Sequence, residues 1–193
     1  MNIEFEATFT NIDKDEIRAK LSAVGAKLIR SEYLQKRFVF TLPKGHEIPG
    51  GWLRVRDEGD KITMSLKVVS GNTIEDQKEI CLTVNDFNEA VLFLESMGCD
   101  KKAYQESKRE LWTLDDVEIT IDEWPFLEPL VEIEGKSKTE VESVSKKLGF
   151  DFSKAIFDTV GKLYDDKYGI KPGTFNKQAP PILKFGDKNP FIK

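Results

Sequence analysis

The sequence predicts an α+β fold: a closed, eight-stranded antiparallel β-barrel with helices packed outside. Three observations carry this. Eight segments rich in β-branched and aromatic residues are separated by short turns such as Glu58-Gly59-Asp60 and Asp115-Asp116, which favours antiparallel pairing. Three amphipathic helical stretches each open on a capping pattern and stop at a glycine. Charged residues also keep to one side of strand after strand, which places an apolar face under the helices and a charged face inside the barrel.

In chain order, Ile3 to Phe9 is the first strand, with Ile3, Phe5, Ala7 and Phe9 opposing Glu4, Glu6 and Thr8. Asp13 with Glu16 then opens a helix that carries Ile17, Leu21 and Val24 and ends at Gly25. Strands follow at 28–42, 51–58, 61–69 and 78–84. On the second of these Leu53 and Val55 alternate with Arg54 and Arg56, and on the third Met64, Leu66 and Val68 alternate with Thr63, Ser65 and Lys67. Asp86 with Glu89 opens the second helix, which stops at Gly98; strands at 103–114, 117–124 and 130–134 come next. Ser137 with Glu140 opens the third helix, which stops at Gly149, and Ser153 to Tyr168 reads as a fourth with Ile156, Phe157, Val160 and Leu163 along one stripe. Residues 1–168 therefore form the barrel domain. Residues 169–193, with Pro172, Pro180, Pro181 and Pro190, form an irregular tail that packs on the body or frays.

The 193 residues, 39% of them hydrophobic, suffice for one sizeable core, and the net charge of −5 argues against a general grip on nucleic acid or anionic lipid. Apolar runs fall short of a membrane span and the opening residues lack the pattern of a secretory signal, so the expected location is cytoplasmic. Cys81 and Cys99 are expected to be buried free thiols, and the single His46, in a Gly/Pro loop, leaves little basis for a His-dependent nucleophile or a His-rich metal site. Chemistry here must come from carboxylates, lysines, arginines or a hard metal ion.

Alternation alone usually marks a solvated sheet face. What sets these strands apart is segregation by sign: carboxylates share one side of three strands, as Glu4 and Glu6, Glu118 and Asp122, and Glu132 and Glu134, and arginines one side of a fourth, where a solvated face mixes signs to limit repulsion. Such pairs suit a cavity in which a cation offsets the acids and a polyanion offsets the bases. An eight-stranded barrel can enclose one small ligand.

The ordered segments Glu4-Phe5-Glu6, Gly51-Trp52-Leu53-Arg54-Val55-Arg56, Ser65-Leu66-Lys67, Lys108-Arg109-Glu110-Leu111-Trp112, Ile119-Thr120-Ile121-Asp122 and Val131-Glu132-Ile133-Glu134-Gly135 resemble the signature of the CYTH superfamily, the triphosphate tunnel metalloenzymes. The resemblance spans roughly residues 2 to 165. It implies a tunnel that binds a small-molecule triphosphate or nucleotide with Mg²⁺ or Mn²⁺; a homodimer is a candidate assembly. By resemblance Glu4, Glu6 and Glu134 are catalytic; Glu4, Glu6, Asp122, Glu132 and Glu134 are metal ligands; Arg54, Arg56, Lys67 and Arg109 hold phosphates. The implied activity is metal-dependent hydrolysis of a linear triphosphate, inorganic tripolyphosphate or a compound such as thiamine triphosphate. The alternatives are a class IV type adenylyl cyclase, making cyclic AMP and pyrophosphate from ATP, and a binding module without turnover. One position departs: the family opening is ExExK and residue 8 here is Thr, which removes a cation from the lumen. Arg37, sharing a face with Tyr33 and Gln35, is the candidate to replace it among the substrate-binding residues.

Overall fold

The computed structural model describes residues 1–171, 175 and 181–192. Its strands are β1 (Asn2–Ile3), β2 (Phe5–Phe9), β3 (Lys27–Phe40), β4 (Gly51–Asp57), β5 (Ile62–Val69), β6 (Gln77–Val84), β7 (Lys101–Leu114), β8 (Val117–Glu123), β9 (Leu130–Gly135) and β10 (Ile182–Leu183), and its helices α1 (Lys14–Ala23), α2 (Phe87–Ser96), α3 (Lys138–Lys147) and α4 (Val160–Tyr168). The sheet runs β1-β6-β5-β4-β3-β7-β8-β9-β2 with antiparallel neighbours throughout. Its two edges, β1 and β2, are consecutive in sequence and separated only by Glu4. One chain segment thus pairs with β6 on one side and β9 on the other. The Glu4 amide also donates to Gln77 O, and the sheet closes nearly into the predicted barrel. Counted with β1 and β2 as one kinked strand, the wall has the expected eight.

The expected caps are present. Asp13 accepts from the Asp15 and Glu16 amides, Asp86 from Glu89 and Ser137 from Glu140. The Asp115-Asp116 turn takes positive φ at both residues, the geometry of a tight hairpin between β7 and β8. Helices α1 and α3 set Ile17, Leu21, Val141, Val144 and Leu148 onto the outward faces of Ala7, Ile119, Ile121, Val131 and Ile133. Helix α2 covers Phe40 and Val55 with Ala90, Val91 and Leu94. With the apolar set outside, parity drives the charged set inward.

Two expectations need correction at the C-terminal end. The helix read over 153–168 is a short 3-10 turn at Phe152–Lys154 followed by α4, because Ala155 and Thr159 are extended and Ile156 forms a β-bridge with Thr8. The tail is not simply irregular: β10 pairs in parallel with β7 through Ile182 with Tyr104 and Leu183 with Gln105, and Phe175 and Leu183 are buried with Trp124, Leu163 and Tyr164. Pro172 and Pro180 lie outside the described residues. Cys99 is buried as expected, whereas Cys81 is exposed, because its position on β6 turns it into the barrel interior. Among the described residues no helix is long and apolar enough to cross a membrane.

Candidate functional site

The barrel encloses a cavity of about 340 Å³ whose wall includes Glu4, Glu6, Glu79, Glu132 and Glu134 together with Arg37, Arg54, Arg56, Lys67 and Arg109. That volume lies in the range of small-molecule sites. Nine of the ten residues assigned from sequence therefore face one space, although the first strand and β9 are more than a hundred positions apart. Asp122 is the exception: it is fully buried beneath the wall, where it accepts from Arg109 Nε at 2.8 Å.

The acids fall into two groups. Carboxylate oxygens of Glu4, Glu6 and Glu134 lie within 4.8 Å of one another. The kink at Glu4 and the pairing of Glu6 with Glu134 create this convergence. Burial, with Lys67 only partly offsetting it, raises the pKa of Glu4; burial and then the charges of Glu132 and Glu4 raise Glu6 well above the ordinary carboxylate range. The exposed surface of Glu134 faces the tunnel rather than bulk water, and desolvation there, ahead of repulsion from Glu4, lifts it to about 7. Three mutually repelling oxygen donors, with no nitrogen or sulfur among them, fit a hard divalent cation. The second group is Asp122 and Glu132, which clasp Arg109; Glu132 Oε2 accepts from Arg109 Nη2 at 2.5 Å. Against its burial, these two carboxylates hold the Arg109 guanidinium well above its usual pKa.

The cations also divide. Lys67 Nζ donates to Glu4 at 2.8 Å and lies 3.9 Å from Glu79; Arg54 Nη2 donates to Glu79 at 3.1 Å; Arg56 Nη2 lies 2.8 Å from Glu58. Against burial, Lys67 and Arg54 hold Glu79 down at about 2. Arg37 differs. Its Nε donates to Gln105 Oε1 at 2.8 Å and its guanidinium stacks over the Trp124 ring at 4.2 Å, yet among the described residues it has no carboxylate partner. Burial, then Arg54 and Arg56, push it well below its usual pKa. Arg54 adds a buried Nε without an acceptor. The cavity thus holds more donor capacity than its own acids satisfy.

Glu58, Glu79 and Glu118 are wall residues outside the assigned set. All three shared a parity signal: Glu58 follows Arg56 by two positions, Glu79 precedes Cys81 and Glu118 precedes Thr120. Tyr33, Gln35 and Gln105 complete the wall around Arg37 and Arg109.

Thr8 does not reach the cavity. It is 5% exposed, pairs with Glu132 across β2 and β9, and is covered by Ile156, whose N–H and C=O both bond to its backbone. A lysine here would enter a covered position beside a glutamate already claimed by Arg109. Thr8→Lys should therefore destabilise the fold by about 1–3 kcal/mol without tightening triphosphate binding. Thermal melts and calorimetric titration with tripolyphosphate check both halves.

The CYTH domain family matches residues 1–160. A conserved hypothetical protein from Pyrococcus furiosus is 22% identical, with a TM-score of 0.65 over 79% of this chain and 94% of that one. A proposed adenylate cyclase from Vibrio parahaemolyticus is 11% identical, TM-score 0.68, over 80% and 92% of the two chains. A Hippeastrum protein proposed as an adenylyl cyclase, with a dominant triphosphatase activity, is 13% identical, TM-score 0.55, over 88% and 98%. At these identities the likenesses establish the fold. No curated protein sequence matches the chain.

Proposed function

Because this chain belongs to the CYTH family, we propose that its tunnel binds a linear triphosphate together with a divalent cation, Mg²⁺ or Mn²⁺, and hydrolyses it. The observation that carries the reading is the unmatched Arg37 among Arg54, Arg56 and Lys67, facing three carboxylates that repel one another. A triphosphate, with about four negative charges, supplies what the bases lack. A divalent cation supplies what the acids lack.

In this reading Arg37 and Arg54 grip phosphate oxygens, Arg54 through the Nε that has no acceptor, and Lys67 adds a point charge where β5 faces Glu4. Arg109 is held rigid by Asp122 and Glu132 and presents a fixed guanidinium to the cavity. Glu4, Glu6 and Glu134 would hold the cation, which would supply Lewis-acid stabilisation of the negative charge on the triphosphate. Positioning and electrostatics supply most of the rate effect in phosphoryl transfer. The dominant triphosphatase activity named for the Hippeastrum protein is consistent with water as the nucleophile. The adenylate cyclase name of the Vibrio protein keeps cyclisation of ATP as the second reading.

The test is incubation with tripolyphosphate, thiamine triphosphate and ATP, each with Mg²⁺ or Mn²⁺, followed by separation of phosphate, pyrophosphate and cyclic AMP. Metal-dependent release of phosphate is the expected result. Cyclic AMP with pyrophosphate would replace the hydrolase by a cyclase, and tight binding without product would leave a binding module.

A further inference from the structure

The cavity changes character along its axis. On three neighbouring strands the residue facing inward beyond the last cation is apolar: Val39 follows Arg37 on β3, Trp52 precedes Arg54 on β4 and Val69 follows Lys67 on β5. All three lie toward the same end of the barrel, since β3 and β5 finish there and β4 begins there. The wall at that end is completed by Trp124, at the close of β8, and by two residues at or beyond the limit of the family match, Val160 at the start of α4 and Phe175. These last two are held firmly. Tyr164, fully buried, stacks on Phe175 with ring centroids 4.5 Å apart and donates to Pro125 O at 2.6 Å. Gly161 lets the ring come close: a Cβ there would lie 3.2 Å from Phe175 Cδ1.

Phosphate has no reason to enter this chamber. Its desolvation would be uncompensated, and the nearby Asp158 carboxylate, bonded to the Thr159 amide, would repel it. Resting on the triphosphate reading above, we infer that Phe175 and Val160 are specificity-determining residues that receive an apolar organic group esterified to the triphosphate. Phe175 from the chain's C-terminal appendage, with Val160 at the start of α4, thus sets the preference for a triphosphate ester over inorganic tripolyphosphate. The group that fits is flat or compact, uncharged or cationic, and attached at the end of the chain that passes Arg37.

The probes are a methylene-bridged tripolyphosphate, which resists hydrolysis, and its phenyl and adenosyl esters, titrated by calorimetry with Mn²⁺ present. The parent should bind at least one ester about tenfold more tightly than the free chain. Phe175→Ala should lose roughly ten- to a hundredfold in ester affinity, the value of burying an aromatic ring, and keep its affinity for the free chain. Val160→Phe fills the chamber without removing core packing and should show the same selective loss, with a melting temperature confirming its fold. Equal losses for ester and free chain in folded variants, or no preference for either ester in the parent, would overturn the inference and leave the triphosphate reading standing. Failure of every probe to bind would overturn that reading and this inference with it.

Discussion

Replacing Glu134 by Gln should lower Mn²⁺ affinity and metal-dependent turnover at least tenfold to a hundredfold, the size seen when even an outer partner of a metal ligand is lost, while the fold stays intact. The side chain keeps its shape and loses only its charge. Glu134 sits within 4.8 Å of both other carboxylates of the cluster, so no neighbour can take over without moving a strand. The sign of the stability change follows from its pKa, raised from 4.5 to about 7 by desolvation in the tunnel and then by Glu4. Below about pH 4.5 the group is protonated folded and unfolded, and costs nothing. Its ionisation penalises the folded state increasingly from there up to about pH 7 and fully above it. Glu134→Gln should therefore melt higher than the parent at pH 8 and alike near pH 4. A variant that melts lower at pH 8, with unchanged activity in its folded fraction, would make Glu134 a structural residue. Mn²⁺ titrations and melts at the two pH values decide between them.

Replacing Arg37 by Met should weaken triphosphate binding roughly ten- to a hundredfold, the value of a charge-assisted contact of about 1.5–3 kcal/mol. The ligand-free protein should lose no stability and gain up to about 1 kcal/mol, because a half-buried cation beside Arg54 and Arg56 is removed. Methionine keeps the packing on Trp124. Arg54→Met should behave oppositely in the ligand-free protein, since Glu79 would remain behind without its 3.1 Å partner. The contrast between these two arginines, measured by denaturant unfolding and by tripolyphosphate titration, separates a ligand-seeking cation from one with a built-in counterion. Equal destabilisation by both would mean that Arg37 serves the fold alone.

Much of the molecule was legible because the rules involved are local. Asp13, Asp86 and Ser137 cap their helices through side chains only two or three residues from the amides they bond. The period-2 alternation in Glu4 to Phe9, Arg54 to Arg56 and Val131 to Glu134 says which side of the wall each residue occupies. Parity, however, says nothing about register. The sequence alone suggests that Arg54 and Arg56 are uncompensated, yet Glu79 on β6 and Glu58 beyond β4 neutralise them. Removal of either would leave a carboxylate behind and relieve no repulsion, whereas Arg37 has no such partner among the described residues. Parity puts Thr8 and Asp122 on the inward face, but Ile156 covers the first and Arg109 stands over the second. The first contact joins residues far apart in sequence and leaves no periodic trace, whereas the second joins direct partners across the β7–β8 hairpin, 13 residues apart, whose register parity does not give. The stripe of Ile156, Phe157, Val160 and Leu163 mimicked a helix because Phe157 packs on the cluster under α1 and α3 while Ile156, Val160 and Leu163 pack on the Trp124 cluster, two separate apolar surfaces at helix-like spacing.

The central claim is that one cavity holds a divalent cation on Glu4, Glu6 and Glu134 in direct contact with a triphosphate gripped by the arginines. Electron–nuclear double resonance on Mn²⁺ bound to the protein with methylene-bridged tripolyphosphate measures that contact. The account predicts a ³¹P hyperfine coupling from phosphate oxygens on the metal, weakened or lost in Glu134→Gln and diminished in occupancy in Arg37→Met. Mn²⁺ bound with no ³¹P coupling, or a coupling indifferent to both substitutions, would contradict it.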